Sequence, residues 1–202
     1  MSVDADRRLE RTFFARDPLL VAPALLGARM VSTVDGIETA GRIVEVEAYR
    51  GIDDPGSHGH RGPTPRTEVM FGPPGHLYVY FSYGMHWCTN IVCGADGTCA
   101  AVLVRALTPL VGLETMRRRR PAATRDRDLC SGPAKLSAAL GIDGSLDGLD
   151  LGAADAPVRI ERGDPAESFA TSPRIGLSPG RGEDLPWRWY TPGIADVSAR
   201  PR

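Results

Sequence analysis

A loop rich in glycine, proline and histidine carries several side chains that could do chemistry. It runs over residues 50–74, and a loop of this length in a compact domain is more often functional than idle. His58 and His60 lie near Asp54 in this loop, and together with Glu47 they could bind a metal ion. A metal-dependent hydrolase is therefore one hypothesis, but the spacing matches no standard ligand motif and we expect no metal.

Two acidic residues, Glu45 and Glu47, share one face of a predicted strand with Tyr49. The opposite face of that strand is apolar, and this alternation is typical of a sheet with one face toward solvent. Arg105 differs, because it closes a predicted strand that is otherwise almost wholly apolar. A charge at the end of a buried strand needs a carboxylate partner or a cavity into which it can project.

The stretch from Leu77 to Asn90, LYVYFSYGMHWCTN, concentrates aromatic side chains that could bind a flat ligand. Strand-like runs on both sides of Gly84 predict a β-hairpin with a tight tip. One interpretation is a buried central strand whose tyrosines hydrogen-bond to the backbone. The other is a hairpin that offers stacking surfaces to a nucleic-acid base. The aromatic residues concerned are Tyr78, Tyr80, Phe81, Tyr83 and Trp87.

The charge composition limits the possible partners and chemistry. The net charge is −1 at pH 7, so any contact with nucleic acid would depend on a local basic patch. Seven arginines between Arg105 and Asp128 form a candidate patch, although such a run also suits a solvated helix end. Lys135 is the only lysine of the sequence, so chemistry through a Schiff base has one side-chain amine available.

Capping and turn signals predict the elements that position these residues. A helix is expected over residues 17–27, and an Asp35-Gly36 turn should join two strands over residues 29–49. Residues 143–202 are expected to add irregular strands to the same sheet.

Two further helices are predicted from proline-containing starts. One should begin at Thr108-Pro109 and run into the arginines, and the other should begin at Ser131-Gly132-Pro133. The second start exposes backbone N–H groups, which suit either a bound phosphate or a simple structural N-cap.

The length of 202 residues allows one substantial core, so one domain is expected. We expect the charged residues 1–16 to be a flexible segment and residues 17–202 to form the domain. No apolar run approaches membrane-spanning length and the N-terminus lacks a signal-peptide core, which predicts a cytoplasmic protein without membrane contact. The four cysteines contain no CxxC pair and should be buried free thiols.

Several motifs, in their order and spacing, resemble those of the alkyladenine (3-methyladenine) DNA glycosylases of the mammalian type, which also occur in bacteria. The matching blocks span about residues 20–190 and are GRIVEVEAY (41–49), the His58 loop with TPR (64–66) and MF (70–71), GHLYVYFSYGMHWCTN (75–90), VLVRALTPLVGLETMR (102–117) and DLCSGPAKL (128–136). The resemblance implies an α+β fold, with a curved antiparallel β-sheet, flanking helices and a protruding β-hairpin in one compact mixed domain.

The resemblance also implies an activity. Such an enzyme flips alkylated or deaminated purines out of duplex DNA and hydrolyses the N-glycosidic bond, leaving an abasic site. The partner would be double-stranded DNA that contains a damaged purine, and the enzyme would contact it in the minor groove. The resemblance also implies a monomer that works in the cytoplasm at the nucleoid. No cofactor or metal is implied, and with water as the nucleophile no lyase step is expected.

The catalytic roles can be placed on this sequence by the same resemblance. Glu47 resembles the general base that activates the attacking water, and Arg105 resembles the arginine that holds Glu47 and the water. Ile175, in the motif SPRIGL, is the candidate for a backbone carbonyl that contacts this water. A second hypothesis, a non-catalytic module for single-stranded DNA or RNA, gives no reason to bring Glu47 and Arg105 together.

The remaining roles concern the flipped base and the gap that it leaves. Tyr49, His58 and Tyr80 resemble the pocket in which rings sandwich the purine and the histidine provides a hydrogen bond. Asn90 resembles the side chain whose bulk opposes the exocyclic amine of guanine. The residues inserted into the DNA gap correspond to Tyr83 and Met85.

Overall fold

An open antiparallel sheet organises the chain in the computed structural model, which describes residues 7–198. Its strands are β1 (Arg29–Ser32), β2 (Thr39–Tyr49), β3 (Leu77–Ser82), β4 (His86–Val92), β5 (Ala101–Val111), β6 (Val158–Glu161), β7 (Ala170–Ser172) and β8 (Arg188–Tyr190). The order is β3-β4-β5-β2-β1-β6, while β8 pairs with β2 and β7 pairs with β8. The predicted hairpins and the late strands are therefore present, and the α+β class is confirmed.

The long central strands β2 and β5 pair with interrupted register. Glu45 lies opposite Ala106 and Val46 lies opposite Val104, so Arg105 is the extra residue at a β-bulge. Bulges bend a strand and redirect its side chains. The sheet therefore has an irregularity at the arginine that the sequence singled out.

Short helices flank the sheet and complete its core. They are α1 (Arg11–Phe14), α2 (Pro18–Leu25), α3 (Leu113–Arg119) and α4 (Pro133–Leu140). The predicted start of α2 is confirmed, because the Asp17 carboxylate accepts a hydrogen bond of 2.9 Å from the Leu19 N–H. Apolar side chains of α2, α3 and α4 join those of the sheet in one hydrophobic core. Within residues 7–198, none of the helices is long and apolar enough to cross a bilayer.

The core also includes residues that precede the expected domain boundary at residue 17. Leu9 and Phe14 are buried in the main cluster, and the Leu9 N–H donates to the Ile160 carbonyl at 2.8 Å. The charges around these two residues led us to expect a flexible segment over residues 1–16. Residues 1–6 of that segment lie outside the described part of the chain.

The prediction that a helix starts at Thr108-Pro109 is wrong, although a helix does follow. Strand β5 continues to Val111, with Thr108 opposite Arg42 and Pro109 opposite Gly41 of β2. The helix begins only after Gly112, whose φ of 74° favours glycine. Pairing with the long strand β2 outweighs the local helix signal, which is a tertiary effect on an ambiguous segment.

Most arginines of the run after β5 form ion pairs or hydrogen bonds within the protein. Most of its side chains contact acidic groups or backbone carbonyls, including Arg117–Asp126, Arg118–Glu114, Arg119–Asp35, Arg120–Leu129 carbonyl and Arg125–Asp128. These contacts fasten α3 to its neighbours. They support the helix-end interpretation for much of the run, since the positive charge is partly balanced there.

All four cysteines are free and buried, as predicted. Burial raises the pKa of the Cys88, Cys93 and Cys99 thiols, and it raises that of Cys130 to about 12. Thiols in this state are weak nucleophiles at neutral pH.

Candidate active site

A cavity of about 730 Å³ opens beside the β3–β4 hairpin, where most of the predicted site residues meet. The hairpin supplies one wall, the histidine loop a second, and the segment 175–177 a third. The predicted residues that line it are Tyr49, His58, Tyr80, Tyr83, Asn90, Arg105 and Ile175. A space of this size suits a small organic ligand such as a purine.

Glu45 and Glu47 do not face solvent, so that interpretation of their strand face is wrong. Neither side chain has any exposed surface. The chain between Ile175 and Ser198 covers this face. The Ile175 N–H donates a hydrogen bond to Glu47, and the Ser198 N–H donates one to Glu45. The alternation along β2 is real, but both of its faces are covered.

The Glu47 carboxylate is held by three donors at the inner wall of the cavity. Oε1 lies 3.1 Å from Arg105 Nη1 and accepts the Ile175 N–H at 2.7 Å. Oε2 accepts the Tyr49 hydroxyl at 2.9 Å. Arg105, Ile175 and Tyr49 all line the cavity, so Glu47 is one layer behind its surface. The Ile175 amide thus contacts Glu47, while the family resemblance concerns the Ile175 carbonyl and its contact with the attacking water.

The position of Arg105 predicted a carboxylate partner, and the structure shows two, Glu45 and Glu47. Its Nε donates to Glu45 Oε1 at 2.9 Å, while Nη1 faces Glu47. Burial alone would lower the pKa of Arg105, but the negative charges of Glu47 and Glu45 raise it above its usual value. The guanidinium is therefore a fixed positive charge between two carboxylates.

Aromatic rings form the side walls of the cavity. The Tyr78 and Tyr80 rings are stacked, with centroids 5.5 Å apart, and the His58 ring meets Tyr80 edge-on at 4.5 Å. His58 Nδ1 lies 3.0 Å from the Tyr78 hydroxyl. Burial, and then the charge of Arg66, lowers the pKa of His58 below its ordinary 6.5, while burial raises that of Tyr78 to about 12.

Tyr49 closes the wall next to Glu47. Burial, and then the charge and hydrogen bond of Glu47, raise the pKa of Tyr49 well above its usual value, so the phenol keeps its proton. Asn90 is also buried, and its amide donates to the Tyr78 carbonyl at 3.1 Å. Both predicted pocket residues are therefore fixed by hydrogen bonds.

The hairpin tip projects from the cavity rim. Tyr83 is 87% exposed and Met85 is 67% exposed. Tyr83 has a φ of 50°, followed by Gly84 at 67°, so the turn holds a large ring in the left-handed region. The buried-strand interpretation is wrong for the tip. Tyr78 is almost fully buried, but it lies on the edge strand β3 and, among the described residues, its hydroxyl contacts His58 and not the backbone.

Arg174 is a site residue that the sequence analysis missed. Its guanidinium forms a doubly hydrogen-bonded ion pair with Asp54 at 2.6 and 2.8 Å, and both side chains are fully buried. The guanidinium also lies over the Tyr49 ring, 4.7 Å from its centroid, and donates to the Ala48 carbonyl. It follows Pro173 in a loop, where an arginine gives no sequence signal of burial.

The candidate metal ligands of the histidine loop contact other protein groups. Asp54 binds Arg174, His58 contacts Tyr78, and His60 Nδ1 lies 2.6 Å from the Ile52 carbonyl. In the part of the chain that the structure describes, no group of three His, Cys, Asp or Glu side chains is placed to hold a metal ion.

Known proteins are similar to this chain over nearly its whole length. A family model described as methylpurine-DNA glycosylase (MPG) matches residues 12–195. A Burkholderia lata protein named "Putative 3-methyladenine DNA glycosylase" is 57% identical over 94% of this chain and 90% of its own length. Proteins of the same name from Streptomyces avermitilis and Rhodopseudomonas palustris are 47% and 50% identical over 94% and 90% of this chain, and over 90% and 83% of their own lengths.

The similarity extends over nearly the whole chain and includes every strand and helix that borders the cavity. It confirms the resemblance that the ordered motifs indicated. The chain belongs to the methylpurine-DNA glycosylase family.

Proposed function

We propose that this protein is a DNA repair glycosylase that removes alkylated or deaminated purines from duplex DNA by hydrolysis of the N-glycosidic bond. The observation that carries the proposal is the Glu47 carboxylate, fixed by Arg105 directly behind the inner wall of an aromatic cavity. The names of the relatives, which refer to 3-methyladenine, agree with this substrate class. A non-catalytic binding module gives no reason to bring Glu47 and Arg105 together behind this cavity.

The aromatic residues have two separate tasks in this proposal. Extracting a base from the duplex costs a few kcal/mol of lost pairing and stacking. The exposed Tyr83 ring at the hairpin tip replaces the base in the stack, with Met85 beside it. Tyr49 and Tyr80 stack on the flipped purine inside the cavity.

Glu47 acts as the general base for the attacking water. Its carboxylate accepts a proton from a water molecule whose oxygen forms the new bond to C1′ of the deoxyribose. The electrons of the broken C1′–N bond leave with the purine, and the product is an abasic site. The negative charge of Glu47 also stabilises the developing oxocarbenium character of the sugar.

Arg105 fixes Glu47 and the water for this attack. Because Oε1 of Glu47 already accepts from Arg105 and Ile175, Oε2 is the atom that we assign to the water. Tyr49 donates to the same atom, which has a second lone pair for another donor. The Ile175 carbonyl is retained as a second contact for this water.

The charge of the purine decides whether its departure needs a hydrogen-bond donor from the enzyme. A purine methylated at N3 or N7 is cationic, so it stacks well on electron-rich rings and leaves easily. A neutral purine such as hypoxanthine needs a hydrogen-bond donor. We assign neutral His58 the tautomer in which Nδ1 accepts a hydrogen bond from the Tyr78 hydroxyl 3.0 Å away, so that Nε2 carries the N–H that faces the purine. The Asn90 side chain opposes the exocyclic amine of normal guanine.

The enzyme should be monofunctional, because the nucleophile is water. The single lysine, Lys135, lies 3.2 Å from the Ser131 hydroxyl at the start of α4 and does not line the cavity. Borohydride should therefore trap no covalent enzyme–DNA adduct. We further propose that the protein works as a monomer on chromosomal DNA in the cytoplasm, approaches from the minor groove and needs no metal, so EDTA should leave its activity unchanged.

The experiment that tests the function is base release from a panel of duplex oligonucleotides. Each duplex carries one 3-methyladenine, 7-methylguanine, hypoxanthine or ethenoadenine, and one carries only normal bases. We expect free damaged base and an abasic site from at least one lesion, and no release from the normal duplex. Tight binding of single-stranded DNA without release from any lesion would instead support the binding-module hypothesis.

A further inference from the structure

A second carboxylate, Glu45, lies behind Glu47 in a buried cluster of charges. The cluster contains two carboxylates, Glu45 and Glu47, and two guanidinium groups, Arg105 and Arg188. Glu45 does not line the cavity, and its carboxylate contacts Arg105, Arg188 and Ser198, so we consider its influence on the reaction through Arg105.

Glu45 is the residue in which the hydrogen bonds of the cluster converge. Its Oε1 accepts from Arg105 Nε at 2.9 Å and from Arg188 Nε at 2.7 Å. The same oxygen accepts the Ser198 hydroxyl at 2.8 Å, and Oε2 accepts the Ser198 N–H at 2.5 Å. A carboxylate with this many donors has a single orientation.

Ser198 connects Glu45 directly to Arg105. Its hydroxyl oxygen accepts from Arg105 Nη2 at 3.3 Å while its hydrogen is donated to Glu45. The segment that carries Ser198 is anchored further along β5, where the Thr108 hydroxyl donates to the Asp196 carboxylate at 3.0 Å. The C-terminal part of the chain therefore reaches the rear of the site through two contacts with the strand that carries Arg105.

We propose that Glu45 and Ser198 are positioning residues for catalysis, which together aim Arg105 at Glu47. This inference rests on the proposed function, in which Arg105 holds the general base. Arg105 sits at a β-bulge, where the strand ladder alone does not fix the side chain. Glu45 holds Nε and Ser198 holds Nη2, which leaves Nη1 directed at Glu47 Oε1.

The hydrogen bonds explain why Glu47 alone would not fix the orientation of the Arg105 guanidinium. A guanidinium paired with Glu47 alone could rotate to present any pair of its donors. With Nε and Nη2 occupied, the remaining donor has one direction, and errors of about 1 Å in such placements can cost roughly 100-fold in rate.

Ser198→Ala is the sharper test, because Glu45→Gln removes a buried carboxylate that pairs with two arginines and can unfold the protein. The alanine variant keeps the backbone N–H and loses only the hydroxyl. We expect single-turnover excision to slow by roughly tenfold, the loss typical of a hydrogen bond to a charged group. Affinity for lesion-containing DNA should stay unchanged, and Ser198→Thr, which restores the hydroxyl, should recover the rate.

A double-substitution cycle shows whether Ser198 acts through Arg105. In an Arg105→Lys background, Ser198→Ala should cause little further loss, because the guanidinium that it positions is absent. A wild-type rate for Ser198→Ala would overturn the inference, as would an equal loss in both backgrounds or a loss that threonine does not recover. Failure of the proposed function looks different, because then Glu47→Gln itself would excise normally.

Discussion

Arg105 Nη1 lies 3.1 Å from Glu47 Oε1, although in the strand ladder Glu47 is opposite Leu103. The contact forms because Arg105 occupies a bulge on β5, and because both side chains are covered by the C-terminal part of the chain. Two strands distant in sequence thus bring a buried carboxylate and its cationic partner together behind one wall of the cavity. This pairing is the basis of the proposed hydrolysis.

Replacement of Tyr83 by asparagine should weaken base flipping without weakening the fold. Tyr83 is 87% exposed and has a φ of 50°, and Asn-Gly is a favoured pair for a turn with two positive φ angles. Loss of the stacking ring should reduce the flipped population by roughly tenfold, measured by 2-aminopurine fluorescence next to the lesion. The melting temperature should not fall.

The matched control for this prediction is Ile52→Asn, another exposed apolar side chain, which does not line the cavity. It should leave flipping unchanged. A large fall in the melting temperature of Tyr83→Asn would mean that the tip belongs to the core after all.

Asp54→Asn should destabilise the protein strongly. Asp54 and Arg174 are fully buried and share two hydrogen bonds, and the Asp54 carboxylate also accepts the Gly56 N–H. Removal of one partner from a buried ion pair costs about 3–5 kcal/mol, because the other charge is left uncompensated. Urea unfolding measures this loss.

An exposed ion pair provides the contrast for Asp54. Glu114→Gln breaks the surface contact with Arg118 and should leave the unfolding midpoint nearly unchanged. If both variants unfold at the wild-type urea concentration, the buried Asp54–Arg174 pair does not contribute to the stability of the fold.

The titration of His58 should make the protein less stable in mild acid. Burial lowers the pKa of His58 in the folded state below its ordinary 6.5, whereas the unfolded chain has the ordinary value. The stabilisation from neutral His58 is therefore complete above pH 6.5 and is lost as the pH falls from 6.5 through the folded-state pKa. Melting temperatures should fall more between pH 7.5 and 5.5 for the wild type than for His58→Gln.

A direct check is the titration of the His58 ring by NMR. The proposal requires a midpoint below 6.5 in the folded protein. A midpoint above 6.5 would reverse the sign of the effect and would give His58 a positive charge in the pocket.

The features that sequence reasoning predicted well are those encoded locally. The Asp17 cap, the Asp35-Gly36 turn and the hairpin around Gly84 all depend on residues within a few positions of each other. The need of Arg105 for a carboxylate also followed from local pattern, because the strand around it is apolar. Which carboxylates would meet it was not visible in that pattern, and the family resemblance assigned Glu47.

The features that were missed depend on long-range contacts. The covering of Glu45 and Glu47 comes from residues more than 120 positions later in the chain, and the extension of β5 past Thr108 comes from its pairing with β2. Arg174 lies in an irregular loop that gives no periodic signal. Such contacts decide burial, and burial decides whether an alternating polar face is a surface or a site.

The central claim is tested most directly by Glu47→Gln in single-turnover excision of a lesion from duplex DNA. The control is Glu161→Gln, which removes a buried, arginine-paired carboxylate on β6 at the other edge of the sheet from the hairpin. We expect Glu47→Gln to bind the lesion with wild-type affinity but to excise it roughly 10²–10⁴-fold more slowly, while Glu161→Gln excises normally. Excision by Glu47→Gln at the wild-type rate would contradict the assignment of Glu47 as the general base.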